Sequence, residues 1–173
     1  MKIDFEQLIL AEHSKLQANK IKQAVLDHPD QMKDFMRAFF NGEPKIVQRA
    51  AWPLSLIAEE NPQLIRPYFG KLMKLLHDES QHPAIPRNIT RLFQFVTLPE
   101  KYQGELMDYC FKSILDLKAA DAVKASAITI LDNLCKIYPE IRSELVTALE
   151  TQFQYEGPAY QSRARKVLQN SRR

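Results

Sequence analysis

At 173 residues, with 45% hydrophobic and 26% charged side chains, the chain has the make-up of a folded protein and not of a disordered one. Four glycines against ten prolines, with Leu, Ala, Lys and Gln abundant, favour helices over a turn-rich β fold. A net charge of +3 is too small to signal a nucleic-acid binder by itself.

No stretch approaches the ~18 apolar residues of a membrane span. The opening MKIDFEQLILAEHS carries Asp4, Glu6 and Glu12 and lacks the apolar run of a signal peptide. A cytoplasmic protein without a membrane partner is expected. Cys110 and Cys135 sit in apolar helical patterns and read as buried free thiols. Asn88-Ile89-Thr90 matches a glycosylation acceptor, read as chance without a secretory signal.

Taken in order, residues 3–11 predict a short helix with Ile3, Phe5, Leu8 and Ile9 apolar, and Ser14 then caps a helix over 15–27. Leu16, Ala18, Ile21, Ala24 and Val25 form its apolar stripe. Pro29 opens the next helix, where a missing N–H costs nothing. Met32, Phe35, Met36, Phe39 and Phe40 have the spacing of a buried face. Asn41-Gly42 ends it, with the glycine expected in the left-handed conformation.

Glu43-Pro44 begins a helix with Val47, Ala50, Ala51, Leu54, Ile57 and Ala58 on one stripe. Pro53 inside it predicts a kink, at about 3 kcal/mol in a straight helix. A second helix is expected over 62–77, with Leu64, Ile65, Tyr68, Leu72, Met73, Leu75 and Leu76 on its face and Pro67 as an awkward member. Residues 77–86 read as a loop, and helices follow over 87–96, from Pro99 to about 116, over 120–137, over 140–153 and over 159–170. Ile89, Leu92, Phe93 and Phe95 mark the first of these, and Leu106, Cys110, Phe111, Ile114 and Leu115 the second.

The prolines that open each second helix fall at 29, 62, 99 and 139, spacings of 33, 37 and 40 residues, the window of solenoid repeats. A shift of 77 lays Ala50 on Ala127, Leu54 on Leu131, Ile57 on Leu134 and Pro62 on Pro139. A shift of 114 lays Arg49 on Arg163. Repeat units are expected at 14–41, 43–77, 84–116 and 120–153, with a capping helix at 159–170, in a single domain over 1–173.

A first helix of the form Pro44-x-x-Val47-x-Arg49-x-Ala51-x-Pro53-Leu54, followed by Asn61-Pro62 and a second amphipathic helix, resembles a HEAT repeat. The resemblance implies an all-α fold: a short right-handed α-solenoid of about four and a half hairpins, armadillo-like, whose second helices line a concave face. It also implies a non-catalytic scaffold that binds a protein or peptide. HEAT-like DNA glycosylases keep nucleic-acid binding or DNA repair open as the alternative. An accessory role like that of biliprotein lyase partners is a third class.

On those second helices, 62–77 carries Arg66, Lys71 and Lys74 for +3, whereas 99–116 and 139–153 each net −2. A phosphate track should stay positive along its length, and a groove that changes sign better suits a protein segment. The run from Arg163 to Arg173 holds five basic residues and no acid. Arg163, Arg165, Lys166, Arg172 and Arg173 either contact a partner or complement the helix dipole. Arg163, in the repeat arginine position, is expected to pair with a preceding carboxylate or helix end. Candidate partner-binding residues are therefore Arg66, Lys71, Lys74, Arg165, Arg172 and Arg173.

Trp52 reads as packing. His77, Asp78, Glu79 and His82 share a loop, but their spacing matches no helical His pair or structural zinc pattern. Neither a glycine-rich phosphate loop nor an oriented nucleophile is visible, so no catalytic residue, metal or cofactor is expected.

Overall fold

The computed structural model of the protein describes residues 2–171. Ten α-helices and four 3₁₀ segments, with no strand, are found among them. The fold is all-α. The helices divide into two compact units, and the chain passes from one to the other between Thr97 and Leu98.

The first unit contains α1 (Phe5–Ala11), α2 (Lys15–Asp27), α3 (Met32–Asn41), α4 (Pro44–Glu60), α5 (Phe69–Leu76) and α6 (Ala84–Phe93). Its start is set by local capping. Asp4 Oδ1 accepts from the Gln7 N–H at 3.1 Å, and Ser14 Oγ from the Gln17 N–H at 3.1 Å. Each satisfies a first-turn donor that has no partner inside its helix. The capped start of α2 turns Gln17, Ala18, Ile21 and Val25 inward. Leu16, expected on the stripe, is instead 62% exposed, and the buried Gln17 amide donates to the Leu8 carbonyl.

Helix α4 is the hub of this unit, packing on α1, α2, α3 and α6. Ala50, Leu54, Ile57 and Ala58 are fully buried on it. The small alanines let neighbouring helices approach, and each buried Leu or Ile contributes roughly 1.5–3 kcal/mol. Helix α4 continues through Pro53, where buried Ser55 donates its hydroxyl to the Trp52 carbonyl at 2.8 Å. Trp52 is half-buried, its ring edge-on to His13 at 6.3 Å. Ion pairs link successive first helices: half-buried Lys22 to Glu60 at 2.6 Å and Arg91 to Glu59 at 3.6 Å.

Gly42 ends α3 with φ −71° and ψ 168°, an extended and not a left-handed conformation. Space is the reason for the glycine. A Cβ there would press on the Ala38 carbonyl oxygen and stand 2.8 Å from Ile46 Cγ2.

Residues 62–77 do not form one α-helix. Pro62–Tyr68 is a 3₁₀ segment, and α5 begins only at Phe69. Pro67 cannot donate to the carbonyl four residues back, and its ring would crowd that carbonyl. The tighter turn spans the difficulty, and regular α geometry resumes beyond it. Phe69, absent from the expected face, is buried with its ring 6.3 Å from that of Phe93.

Helix α6 starts at Ala84, three residues earlier than expected, because Pro86 falls in the first turn where its missing N–H is harmless. It also ends earlier, at Phe93. The following i→i−3 bond from Phe95 N–H to the Leu92 carbonyl turns Phe95 outward, 38% exposed, while Val96 is buried. Asn88 and Thr90 lie on the buried face, bonded to the Ala84 and Pro86 carbonyls, so the glycosylation match is structural.

The second unit contains α7 (Glu100–Leu115), α8 (Asp121–Leu134), α9 (Arg142–Gln152) and α10 (Pro158–Ser171). Here α8 packs on α7 and α10, and α9 on α7 and α10. Helix α8 stops three residues short of the expected 137, and α9 is entered through a 3₁₀ turn at Pro139–Ile141. Buried Gln103 donates to the Leu98 carbonyl at 2.7 Å and accepts from the Tyr138 hydroxyl at 2.8 Å. That network fixes the α8–α9 turn against α7. Leu115, expected in the core, is 48% exposed at the end of α7.

The first turn of α8 holds the start of α10. Asp121 accepts from the Ala159 N–H through Oδ2 and from the Tyr160 N–H through Oδ1, both at 3.0 Å. A carboxylate from another helix thus caps α10, with the favourable charge for a helix N-terminus. Gly157 permits the approach, since a Cβ there would lie 2.8 Å from Asp121 Oδ2. Beside it, Lys124 Nζ reaches both Glu156 carboxylate oxygens at 2.6 and 2.7 Å.

Candidate functional site

The exposed side chains of the second helices are the groups that packing leaves over. In the first unit, α3 and its entry turn at Pro29–Gln31 balance their charge, Lys33 and Arg37 against Asp30 and Asp34, and Arg37 pairs with Asp34 one turn before it. The next second helix does not. From Pro62 to Leu76 there is no acidic residue, and Arg66, Lys71 and Lys74 are all exposed.

Their backbone settings differ. Arg66 stands on the 3₁₀ segment and donates to Gln63 Oε1 at 3.1 Å. Lys71 and Lys74 follow on α5, three residues apart and hence on one helix face. Lys71 Nζ stands 5.2 Å from the centroid of the Phe40 ring, a cation–π contact that leaves the ammonium at the surface. Buried Leu72, Met73 and Leu76 hold α5 in place beneath them.

The remaining candidates lie on or beyond α10. Arg165 is exposed in the second unit; its guanidinium stands over the Phe153 ring at 5.3 Å and donates to Gln161 Oε1 at 3.4 Å. Arg172 and Arg173 fall outside the described residues. Of the four described candidates, three belong to the first unit and one to the second, so they form no single cluster within either unit. Arg163 is exposed on α10, and the anchoring role expected of it is filled by Asp121. The matching arginine of the second repeat does contact a preceding helix end: Arg49 donates to the Leu10 carbonyl in the last turn of α1 at 3.0 Å.

In the second unit the second helices carry the opposite sign. Glu140 and Glu144 are exposed along α9 and its entry turn, and Arg142 between them is drawn to Asp132 of α8 at 2.6 Å. Asp108 is exposed on α7.

Other reactive groups are built into the structure. Both cysteines are free and buried, and burial pushes the Cys110 thiol far above its ordinary value. Desolvation also raises Cys135, with the nearby Arg142 acting in the other direction. Burial and the Glu156 carboxylate raise the Tyr160 phenol. In the loop after α5, Asp78 accepts from the Ser80 hydroxyl and N–H and from the Gln81 amide, bonds that lower its pKa. His82 Nδ1 accepts from the Ala84 N–H at 3.2 Å. No group of three or more His, Cys, Asp or Glu placed to hold a metal occurs among the described residues. No helix among them is long and apolar enough to cross a membrane.

Sequence reasoning missed Lys124 and Glu156 altogether. The 77-residue shift that reveals the repeat puts Lys124 on Val47, so an apolar stripe position holds a lysine, which was the available signal.

Neither a search of curated proteins nor one of solved structures returns a match. A family model for the HEAT repeat domain matches residues 5–171, almost the whole chain and all ten helices. With helical hairpins opened by proline and an arginine that reaches the preceding helix, the chain belongs to the HEAT repeat family.

Proposed function

We propose that this HEAT repeat protein is a non-catalytic scaffold that binds a protein or peptide through the outward faces of its second helices. The observation that carries the reading is the acid-free segment from Pro62 to Leu76, with exposed Arg66, Lys71 and Lys74 over a firmly packed apolar face. A rigid helix presenting cations suits an acidic partner segment, because complementary charge speeds encounter and rejects wrong partners. The change of sign on α7 and α9 favours a protein partner over a phosphate backbone. Arg165, engaged with Phe153, takes a lesser part. Two buried free thiols support a reducing compartment such as the cytoplasm.

The test is affinity capture of the tagged protein from extract of its own cells, at low and high salt, read by mass spectrometry. A reproducible protein partner is expected, lost when Arg66, Lys71 and Lys74 are together changed to Glu. Recovery of nucleic acid alone, falling steeply with salt, would overturn the reading.

A further inference from the structure

The second unit holds a shallow groove between the end of α7 and the outward face of α9, lined by Leu115, Ser143, Glu144, Thr147, Ala148 and Thr151. Its walls are more apolar than this list suggests. Thr147 Oγ1 donates to the Ser143 carbonyl at 2.9 Å and Thr151 Oγ1 to the Thr147 carbonyl at 2.8 Å. Both hydroxyl protons are thereby used inside α9, which leaves each oxygen only as an acceptor beside the threonine methyl. Leu115 is 48% exposed, and Leu117, two residues on, is 68% exposed. This is an apolar patch that the unit's own packing does not use.

The surroundings are acidic. Glu144 lines the groove, Glu140 is exposed one turn before it, and Asp108 is exposed two turns before Leu115 on the same face of α7. Arg142, the cation of the α9 segment, is paired with Asp132 on α8. Lys112 and Lys118, exposed on either side of Leu115, are two cations set against these three carboxylates and the exposed Asp116.

We propose that this groove docks a basic segment of a protein partner: one apolar side chain seated on Leu115, Thr147 and Thr151, with Lys or Arg beside it facing Glu144, Glu140 and Asp108. The inference rests on the peptide-binding reading above and adds a second surface of opposite charge. The protein would then join two chemically distinct segments, an acidic one at α5 and a basic one at the α7–α9 groove.

The test is selection of random twelve-residue peptides on the full chain, followed by affinity measurement of a selected synthetic peptide. The expected consensus is an apolar anchor with Lys or Arg within two positions. Leu115→Asp, Glu144→Lys and Thr147→Arg, all at exposed positions, should each weaken binding at least tenfold while far-UV CD and Tm stay those of the parent. Reversal of Arg66, Lys71 and Lys74 should change it less than twofold. Selected basic peptides that bind the groove variants as tightly as the parent, or a selection that yields only acidic peptides lost on reversal of Arg66, Lys71 and Lys74, would overturn the groove and leave the scaffold reading standing. No enriched peptide, together with no captured partner, would overturn both. A parent that sediments as a dimer and becomes monomeric with Thr147→Arg would make a second copy of the chain the occupant, which also overturns the proposal.

Discussion

Removing the Glu156 carboxylate should unfold the second unit far more readily than removing any surface charge. The Lys124 side chain is 2% exposed and that of Glu156 5%, and the ammonium touches both carboxylate oxygens. Glu156→Ala leaves a buried, unpaired ammonium, which costs about 3–5 kcal/mol. For a domain of 60–100 residues each kcal/mol moves Tm by about 4–8 °C, so a fall of more than about 10 °C is expected. The double variant Lys124→Met/Glu156→Leu removes both charges and keeps the volume, and it should return stability to the parent's level or above. Urea and thermal unfolding of the full chain, followed by CD at 222 nm, measure both. Repeating the series in 1 M NaCl should change little, because salt screens buried pairs weakly. The reasoning fails if Glu156→Ala costs less than about 1 kcal/mol, the range of an exposed pair. It fails equally if the double variant is as unstable as the single.

Two glycines should respond in opposite directions to alanine. Gly42→Ala places a methyl against the Ala38 carbonyl and Ile46 and should cost about 1–3 kcal/mol in urea unfolding, although its φ suits any residue. Gly104→Ala adds a methyl with nothing within 4 Å inside α7 and should stabilise by about 0.5–1 kcal/mol. Alkaline pH provides a further check through Cys110. Its thiol pKa is raised by burial, so the stability it contributes is complete below the unfolded thiol pKa of ~8.5 and is lost as pH rises above that value. Unfolding free energy should therefore fall between pH 8.5 and 9.5, and less steeply in Cys110→Ala. Equal slopes would mean the thiol is solvated.

The features legible in the sequence were those with local causes. Ser14 caps α2 through a residue three positions away, and the prolines at 29, 62 and 139 each open a second helix. The face Met32, Phe35, Met36 and Phe39 follows from helical period alone. Errors arose where a second local rule competed. Pro67 turned an expected α-helix into a 3₁₀ segment, and the tight turn after α6 sent Phe95 outward. Leu115 and Leu16 obey the period but sit at helix ends and are left exposed. The roles of Asp121 and Lys124 escaped for a different reason, although a lysine on an apolar stripe position marked Lys124 as unusual. Their partners lie more than 30 residues away, and a charged residue in a first turn is unremarkable until its counterpart is located. At the candidate surface, sequence identified the cations of the 62–77 segment. It could not show that Arg165 rests on Phe153, or that two threonine hydroxyls turn back into α9.

The Asp121–Lys124 turn also sets an order on synthesis. Lys124 leaves the ribosome 32 residues ahead of Glu156, and Asp121 precedes the second amide it caps by 39. Before Glu156 exists, burying Lys124 would cost about 3–5 kcal/mol as an unpaired ammonium, so its seat in α8 becomes favourable only once the segment that leads into α10 has been made.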